Sequence, residues 1–261
     1  ILKKKKTIIF DKNIKESKIL ENLSKKKQFR LVDISQTKEK LKKIVNLHDF
    51  QLNNLSMAVA AAKICKLKEK KILNSLTKLK DVNGRLELVR TFPNNIKVYV
   101  DFAHTPDALL KSLHALKSNQ NKIISLVFGC GGDRDLKKRP IMAKIASKHC
   151  DKIYITDDNP RNEKPEKIRK EIIKNIKNKN CFNIGDRSEA IKTSILNAQP
   201  NEIILVAGKG HEIDQEYKNK TIFISDKQIV KKLKIKFKKK LNREQTFLQN
   251  KKILREIKKR I

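Results

Sequence analysis

The stretch TDDNPR, from Thr156 to Arg161, holds the densest group of chemically useful side chains in this sequence. Two carboxylates, an amide, a proline and an arginine follow directly after the apolar segment 152–155. A guanidinium binds a carboxylate through two parallel hydrogen bonds, and a carboxylate binds an ammonium group. The stretch therefore fits a pocket for a ligand that carries both charges, although Asp-Asn-Pro alone is also a common turn.

Two further segments combine charged side chains with glycine. GCGGDRD (129–135) contains Arg134, and GKGHE (208–212) contains Gly208 and Glu212. Five of the seven glycines of the chain lie in these two segments. Tight turns need glycine, but turns alone do not explain the Arg, Asp, His and Glu that accompany it. We interpret both segments as parts of one ligand-binding edge.

The elements that must position these loops can be predicted from the flanking sequence. VYVD, ISLVF, KIYI and IILVA are typical of buried strands, and amphipathic segments that begin near residues 105, 140, 165 and 188 predict helices between them. Alternating strands and helices predict an α/β fold with a Rossmann-like, mostly parallel sheet flanked by helices. The loops after the four strands then meet at the carboxyl edge of the sheet, where such sheets bind ligands.

Other elements are predicted less directly. Residues 7–10 predict a strand, and the rest of the first 48 residues is assigned to strands and turns. The segment 53–67 is apolar almost all round and predicts a buried helix. Apolar residues at helical spacing over 72–79 predict a second helix, with Asn83-Gly84 as its stop signal. Near the carboxyl end, TIFI predicts a strand, followed by a helix from about Asp226.

The composition limits the possible functions. The 261 residues contain 63 Lys and Arg against 28 Asp and Glu, a net charge of +35, which favours nonspecific contact with polyanions. No RNP, zinc-finger or KH signature is present, so we predict no specific nucleic-acid partner. The four cysteines form no C-x-x-C pair and fit a reducing cytoplasm. No apolar run approaches the roughly 20 residues of a membrane span, and we expect a cytoplasmic monomer.

Several motifs of catalytic sites are absent. No G-x-x-x-x-G-K-[ST], H-E-x-x-H or G-x-S-x-G occurs, so no P-loop, metal site or catalytic residue is assigned in this sequence. Cys130 lies in a glycine-rich loop without a base beside it, which favours a packing role. Arg187 is interpreted as a brace or cap for a helix, and His211 is either a surface residue or part of the site.

Five motifs identify a family resemblance: GRLE (84–87), VDFAHTPDAL (100–109), FGCGGDRDLKKRP (128–140), TDDNPR (156–161) and VAGKGHE (206–212). In this order and spacing they resemble the Mur ligases of peptidoglycan precursor synthesis, over about residues 45–233. The motifs are most similar to those of the members that join meso-2,6-diaminopimelate to UDP-N-acetylmuramoyl-L-alanyl-D-glutamate. In those enzymes the amino group attacks an acyl phosphate made from ATP.

The resemblance implies a domain organisation and a set of site residues. It makes 1–88 the remainder of a central ATP-binding domain, 89–233 an amino-acid-binding domain and 234–261 a basic tail. The implied ATP contacts are Asn54, Arg85, Asp101 and His104. The implied amino-acid contacts are Arg134, Asp158, Asn159, Pro160, Arg161, Gly208 and Glu212. The phosphate loop and the Mg²⁺ ligands of the family are expected upstream of this sequence, so the chain alone is expected to be inactive.

Three functions remain open at this point. The first is part of an ATP-dependent peptide ligase, whose other substrate is the UDP-sugar dipeptide. The second is a non-catalytic amino-acid-binding module derived from such a ligase, and an in-frame P-loop encoded upstream would favour the first over it. The third is a basic nucleic-acid-binding protein, which sequence-selective binding that resists salt would favour.

Overall fold

The computed structural model of the chain describes residues 6–117, 122–177 and 180–234, so all but the first residue of the predicted tail 234–261 lies outside the described ranges. The amino-terminal region contains two parallel strands, β1 (Thr7–Phe10) and β2 (Arg30–Asp33). Its helices are α1 (Ser17–Lys27), α2 (Ser35–Lys42), α3 (Asp49–Ile64) and α4 (Glu69–Leu76).

Helices α1 and α2 correct the prediction of strands and turns for the first 48 residues. Helix α1 is rich in lysine and buries no residue, so no apolar stripe marks it in the sequence. The predicted burial of the alanine-rich helix was also wrong. Helix α3 buries only Leu52, Ser56, Val59 and Ala60, whereas Met57 is exposed. An alanine-rich sequence has no polar face to show which side meets solvent.

The predicted second helix is shorter than its apolar pattern suggested. Helix α4 ends at Leu76, and Leu79 is exposed beyond it. Gly84 is therefore not the stop signal of this helix. It has a φ of +66°, and a Cβ at this position would lie 2.3 Å from the backbone nitrogen of His211. This glycine allows two distant loops to approach each other closely.

The main sheet has six strands: β3 (Glu87–Phe92), β4 (Ile96–Asp101), β5 (Ile124–Phe128), β6 (Lys152–Ile155), β7 (Cys181–Asn183) and β8 (Ile203–Ala207). Their spatial order is β3-β4-β8-β5-β6-β7, and only the pair β3-β4 is antiparallel. The predicted domain boundary at 88 and 89 falls within β3. Every residue of β5 and β8 is buried, as continuous apolar runs in parallel strands require.

Helices cover both faces of this sheet. Apolar side chains of α5 (Pro106–Lys117), α6 (Lys138–His149) and α7 (Pro165–Ile173) form one core with the sheet. Those of α8 (Arg187–Leu196) and α9 (Asp226–Lys232) form the core on the opposite face. The predicted helix start at Thr105 is confirmed, since its Oγ1 accepts a hydrogen bond from the backbone nitrogen of Ala108 at 3.3 Å. The α/β fold with a mostly parallel sheet is thus confirmed.

The carboxyl-terminal strands form a separate hairpin. Strand β9 (Asp214–Tyr217) pairs antiparallel with β10 (Lys220–Phe223), which contains most of the predicted TIFI strand. The sequence analysis did not predict β9 or the edge strand β3. Within the ranges that the structure describes, no helix combines the length and the apolar character that crossing a membrane requires.

Candidate functional site

The loops after β4, β5, β6 and β8 surround a cavity of about 270 Å³ at the carboxyl edge of the sheet. These four strands are neighbours in the sheet, so their loops converge although they are far apart in sequence. The cavity is lined by Phe102, His104, Gly129, Cys130, Gly131, Arg134, Lys138, Asp158, Asn159, Arg161, Gly208 and Glu212. Six of the seven predicted amino-acid contacts are therefore brought together, and the seventh, Pro160, lies behind the lining.

The cavity presents charges of both signs. Arg134, Lys138 and Arg161 bring positive charge, and Asp158 and Glu212 bring negative charge. Such a lining suits a small ligand that carries carboxylate and ammonium groups together, because each charge of the ligand finds an opposite charge.

Contacts of Nε and Nη1 fix the side chain of Arg161. Its Nε lies 2.8 Å from a carboxylate oxygen of Glu216, and its Nη1 donates to the carbonyl oxygen of Gly132 at 3.0 Å. A longer contact of 3.4 Å joins Nη1 to the carbonyl oxygen of Asn159. Among the described residues, none accepts a hydrogen bond from Nη2. The Nη2 side of the guanidinium is therefore available to a ligand carboxylate.

The hairpin holds the TDDNPR loop from behind. The backbone nitrogen of Arg161 donates to the carbonyl oxygen of Glu216 at 3.1 Å. The hydroxyl of Tyr217 donates to Asp157 at 3.1 Å, and Arg169 forms an ion pair with the same buried carboxylate. Burial raises the pKa of Asp157 even though Arg169 opposes the shift. These contacts make the hairpin part of the site's framework, which the sequence analysis did not predict.

Two glycines allow the close packing of these loops. A Cβ on Gly132 would lie 1.9 Å from the carbonyl oxygen of Pro160, so Pro160 acts through its backbone behind the cavity wall. Gly208 has a φ of +117°, and a Cβ there would lie 2.7 Å from Oδ2 of Asp158. Both contacts join loops that leave different strands, so larger residues would push the loops apart.

The substitution Gly208→Ala is expected to destabilise the chain by about 1–3 kcal/mol and to weaken ligand binding, because alanine is strained at this φ and its methyl group displaces Asp158. Urea unfolding followed by circular dichroism measures the first effect. The control is Gly131→Ala, which has no positive φ and meets chiefly the flexible end of Arg161 at 3.0 Å. Equal losses of stability in the two variants would contradict the explanation from backbone strain.

The four predicted ATP contacts lie in different surroundings. Only His104 lines the cavity, and its Nδ1 is 2.8 Å from the carbonyl oxygen of Phe102. The guanidinium of Arg85 stacks on the Phe102 ring, 4.4 Å from its centre. Asp101 is buried and accepts hydrogen bonds from Leu86 and Ser112.

Asn54 is solvent-exposed on α3. Arg85 and His104 both contact the Phe102 ring, and Asp101 binds the backbone nitrogen next to Arg85, so these three residues lie together. ATP binding by the four residues stays a prediction. No group of three or more His, Cys, Asp or Glu residues that could hold a metal ion occurs in the described part of the chain.

Three single residues that the sequence left to interpretation differ in burial and contacts. Cys130 is buried with its Sγ 3.9 Å from Sδ of Met142, and burial raises the pKa of its thiol to about 12, as the packing role predicts. Arg187 is fully buried and ion-paired with Asp226 at 2.7 Å, which agrees with the predicted brace. The ring of His211 is exposed and lies 5.3 Å from that of Phe102, outside the cavity lining.

Several residues of the site were missed by sequence reasoning. Phe102 contacts Arg85, His104 and His211, and Lys138 lines the cavity while donating to the carbonyl oxygen of His104 at 3.0 Å. Both positions lie inside the motifs already singled out, so their neighbourhood was a usable signal. The buried residues Lys209 and Arg139 also lie inside these motifs, in VAGKGHE and FGCGGDRDLKKRP, but their residue types suggested the surface, because lysine and arginine are rarely buried.

Known proteins are similar to much of this chain. Residues 84–210 match a family model described as the glutamate ligase domain of Mur ligases. The UDP-N-acetylmuramoyl-L-alanyl-D-glutamate--2,6-diaminopimelate ligase of Rickettsia bellii is 44% identical over 182 residues, which are 69% of this chain and 38% of that protein. The ligase of the same name from Buchnera aphidicola subsp. Schizaphis graminum is 42% identical over 185 residues, 70% of this chain and 37% of the relative.

Solved structures show the same fold. A structure of a UDP-N-acetylmuramoyl-L-alanyl-D-glutamate--2,6-diaminopimelate ligase superimposes with a TM-score of 0.55 at 36% identity, covering 71% of this chain and 38% of that one. Folylpolyglutamate synthase of Mycobacterium tuberculosis, complexed with ADP, gives a TM-score of 0.60 at 16% identity over 77% of this chain and 52% of that chain. This second likeness concerns the fold alone. The chain spans somewhat more than a third of the length of the curated relatives it matches, 38% for the Rickettsia bellii protein.

Proposed function

Residues 84–210 of this chain are a domain of the Mur ligase family, and from that premise we propose that the domain binds meso-2,6-diaminopimelate for an ATP-dependent ligase. In the proposed reaction the amino acid is joined to UDP-N-acetylmuramoyl-L-alanyl-D-glutamate during peptidoglycan precursor synthesis. The relatives that carry this name support the choice of substrates.

The observation that carries the proposal is the cavity with both signs of charge. Diaminopimelate has a carboxylate and an ammonium group at each end, so a pocket for it needs anion-binding and cation-binding groups in one small space. Arg134, Asn159 and Arg161 offer hydrogen-bond donors to the carboxylates, and Asp158 and Glu212 offer acceptors to the ammonium groups.

Arg161 is the residue proposed to recognise the substrate. L-Lysine lacks the carboxylate that diaminopimelate carries at the far end of its side chain. A site that has a guanidinium ready for this group loses the contact when lysine binds, and the N–H that faces the ligand is left without an acceptor. Arg161 lines the cavity, and none of the described residues accepts a hydrogen bond from its Nη2, so this group can make the discriminating contact.

This domain is proposed to contribute to the reaction by positioning the amino acid. The cavity lies at the carboxyl edge of a rigid sheet, and its loops are held by backbone contacts such as that of Gly132 with Asn159, 2.9 Å from nitrogen to oxygen. A fixed amino acid presents its amino group in one orientation, which lowers the entropic barrier to attack on an activated carboxyl group. ATP supplies that activation when it is bound, and Mg²⁺ is proposed to accompany it.

We propose a cytoplasmic, monomeric ligase without a specific nucleic-acid partner.

The direct test is a titration of the 261-residue chain with meso-diaminopimelate, followed by ¹H–¹⁵N NMR. We expect saturable binding of one equivalent, with shift changes concentrated at residues 129–134, 158–161 and 208–212. L-Lysine serves as the control and is expected to bind at least about tenfold more weakly, because a charge-assisted hydrogen bond contributes about 1.5–3 kcal/mol. Shift changes that avoid these loops, or an equal affinity for lysine, would overturn the assignment of the cavity.

A further inference from the structure

We propose that Lys209 is a positioning residue that fixes the side-chain amide of Asn159, so that its NH₂ group is presented to a carboxylate of the ligand. This inference rests on the proposed function, because it names the group that prepares the amino-acid site. Lys209 does not line the cavity and therefore acts through the residues that do.

The burial of Lys209 is the first observation. Its side chain is completely inaccessible to solvent in a chain whose many other lysines can remain hydrated. An ammonium group is strongly disfavoured in such a place unless it is paired and hydrogen-bonded. Its Nζ lies 3.1 Å from Oδ1 of Asn159 and 3.2 Å from a carboxylate oxygen of Glu212. Lys209 therefore connects the loop after β6 with the loop after β8.

The hydrogen bonds determine which way the amide of Asn159 is turned. The same atom, Oδ1, lies 3.1 Å from the backbone nitrogen of Glu216. An ammonium group and a backbone N–H can only donate hydrogen bonds, so the atom that faces both must be the oxygen. The amide nitrogen Nδ2 then lies on the other branch of the side chain, and Asn159 lines the cavity. The cavity thus gains a neutral donor that suits a carboxylate.

Lys209 also affects Glu212, which is proposed to accept a hydrogen bond from an ammonium group of the ligand. The contact between them neutralises part of the charge of the carboxylate and fixes its distance from the TDDNPR loop. One buried cation thus sets the geometry of two groups that contact opposite charges of the same ligand. Without it, the backbone nitrogen of Glu216 is the only group among the described residues that holds the amide of Asn159, which can then turn more freely.

The test compares Lys209→Met with a matched control, Lys227→Met. Lys227 likewise bridges an asparagine and a glutamate, since its Nζ lies 2.9 Å from Oδ1 of Asn83 and 2.6 Å from Glu87, outside the cavity lining. We expect Lys209→Met to raise the dissociation constant for meso-diaminopimelate about ten- to thirtyfold, the loss of roughly one charge-assisted hydrogen bond. The control is expected to change it less than twofold. Equal effects of the two substitutions would overturn the proposal.

A double-mutant cycle tests whether Lys209 acts through Asn159. If it does, Lys209→Met combined with Asn159→Ala weakens binding little more than the stronger single substitution, because the two residues form one unit. If the two single fold-changes in the dissociation constant multiply in the double variant, Lys209 does not act through Asn159. In the ligand-free chain, the side-chain NH₂ resonances of Asn159 are expected to shift in Lys209→Met and to stay unchanged in Lys227→Met. This readout needs no ligand, so it tests the inference even if wild-type protein fails to bind diaminopimelate and the proposed function is thereby rejected.

A further variant separates an effect on ligand binding from an effect on folding. Asn159→Asp keeps an oxygen for Lys209 and for the backbone nitrogen of Glu216 but replaces the NH₂ group by a second oxygen. It is expected to unfold at nearly the wild-type temperature while it binds diaminopimelate more than tenfold more weakly, because a carboxylate repels the ligand carboxylate. Unchanged binding by Asn159→Asp would overturn the proposed orientation of the amide.

Discussion

The substitution Arg161→Ala is expected to remove the preference of the site for meso-diaminopimelate over L-lysine and to weaken binding of the former by roughly 10- to 100-fold. A charge-assisted hydrogen bond contributes about 1.5–3 kcal/mol. The affinity for lysine should change little, because lysine has no carboxylate at the end that Arg161 is proposed to contact. NMR titration of the chain with both amino acids measures the ratio.

Two further arginine variants sharpen this prediction. Arg161→Lys should not restore the preference, because one ammonium group cannot reproduce the contacts with Glu216 and Gly132 and also donate to a carboxylate of the ligand, as Nη2 of the planar guanidinium can. Arg90→Ala is the control for loss of a guanidinium, since Arg90 binds backbone oxygens of residues 230, 231 and 233 away from the cavity. If Arg161→Ala retained its selectivity for diaminopimelate, TDDNPR would be a structural turn without a role in substrate selection.

The substitution Arg187→Met is expected to destabilise the chain by about 3–5 kcal/mol. Arg187 and Asp226 are both fully buried, and their two contacts of 2.8 and 2.7 Å connect helix α8 with the start of α9. Arg187 also donates to the carbonyl oxygen of Ala207 at 3.1 Å. Removal of one partner leaves the other charge buried without compensation, which is far more costly than the loss of an exposed pair. Urea unfolding followed by circular dichroism measures the change in the free energy of unfolding.

The control for this experiment is the exposed pair of Lys111 and Asp107, which lie 2.7 Å apart on α5. Lys111→Ala is expected to change stability by no more than about 0.5 kcal/mol, because water screens such pairs. The double substitution Arg187→Met with Asp226→Leu should be less destabilising than Arg187→Met alone, since it leaves no unpaired buried charge. A loss below about 1 kcal/mol in Arg187→Met would contradict a bracing role.

Local sequence patterns were sufficient to predict the four central strands of the main sheet and the loops that follow them. Short apolar runs such as 203–207 are typical of strands buried on both faces, and they alternate with helices of recognisable start signals. This alternation requires the loops of parallel strands to meet at one edge, so Asp158, Arg134 and Glu212 could be placed together before any coordinates were known. The residues that line the cavity belong to polar loops that directly follow apolar strands, and this pattern is visible in the sequence.

Only the tertiary structure decided how these residues are held. The contact of Lys209 with Asn159, that of Glu216 with Arg161 and the close approach of Gly84 to His211 each join segments more than 40 residues apart. Hydrophobic periodicity describes which side of an element is buried, but it contains no information about the partner of a single charged side chain. A buried lysine in a chain of net charge +35 looks like any other lysine until the loops around it are in place.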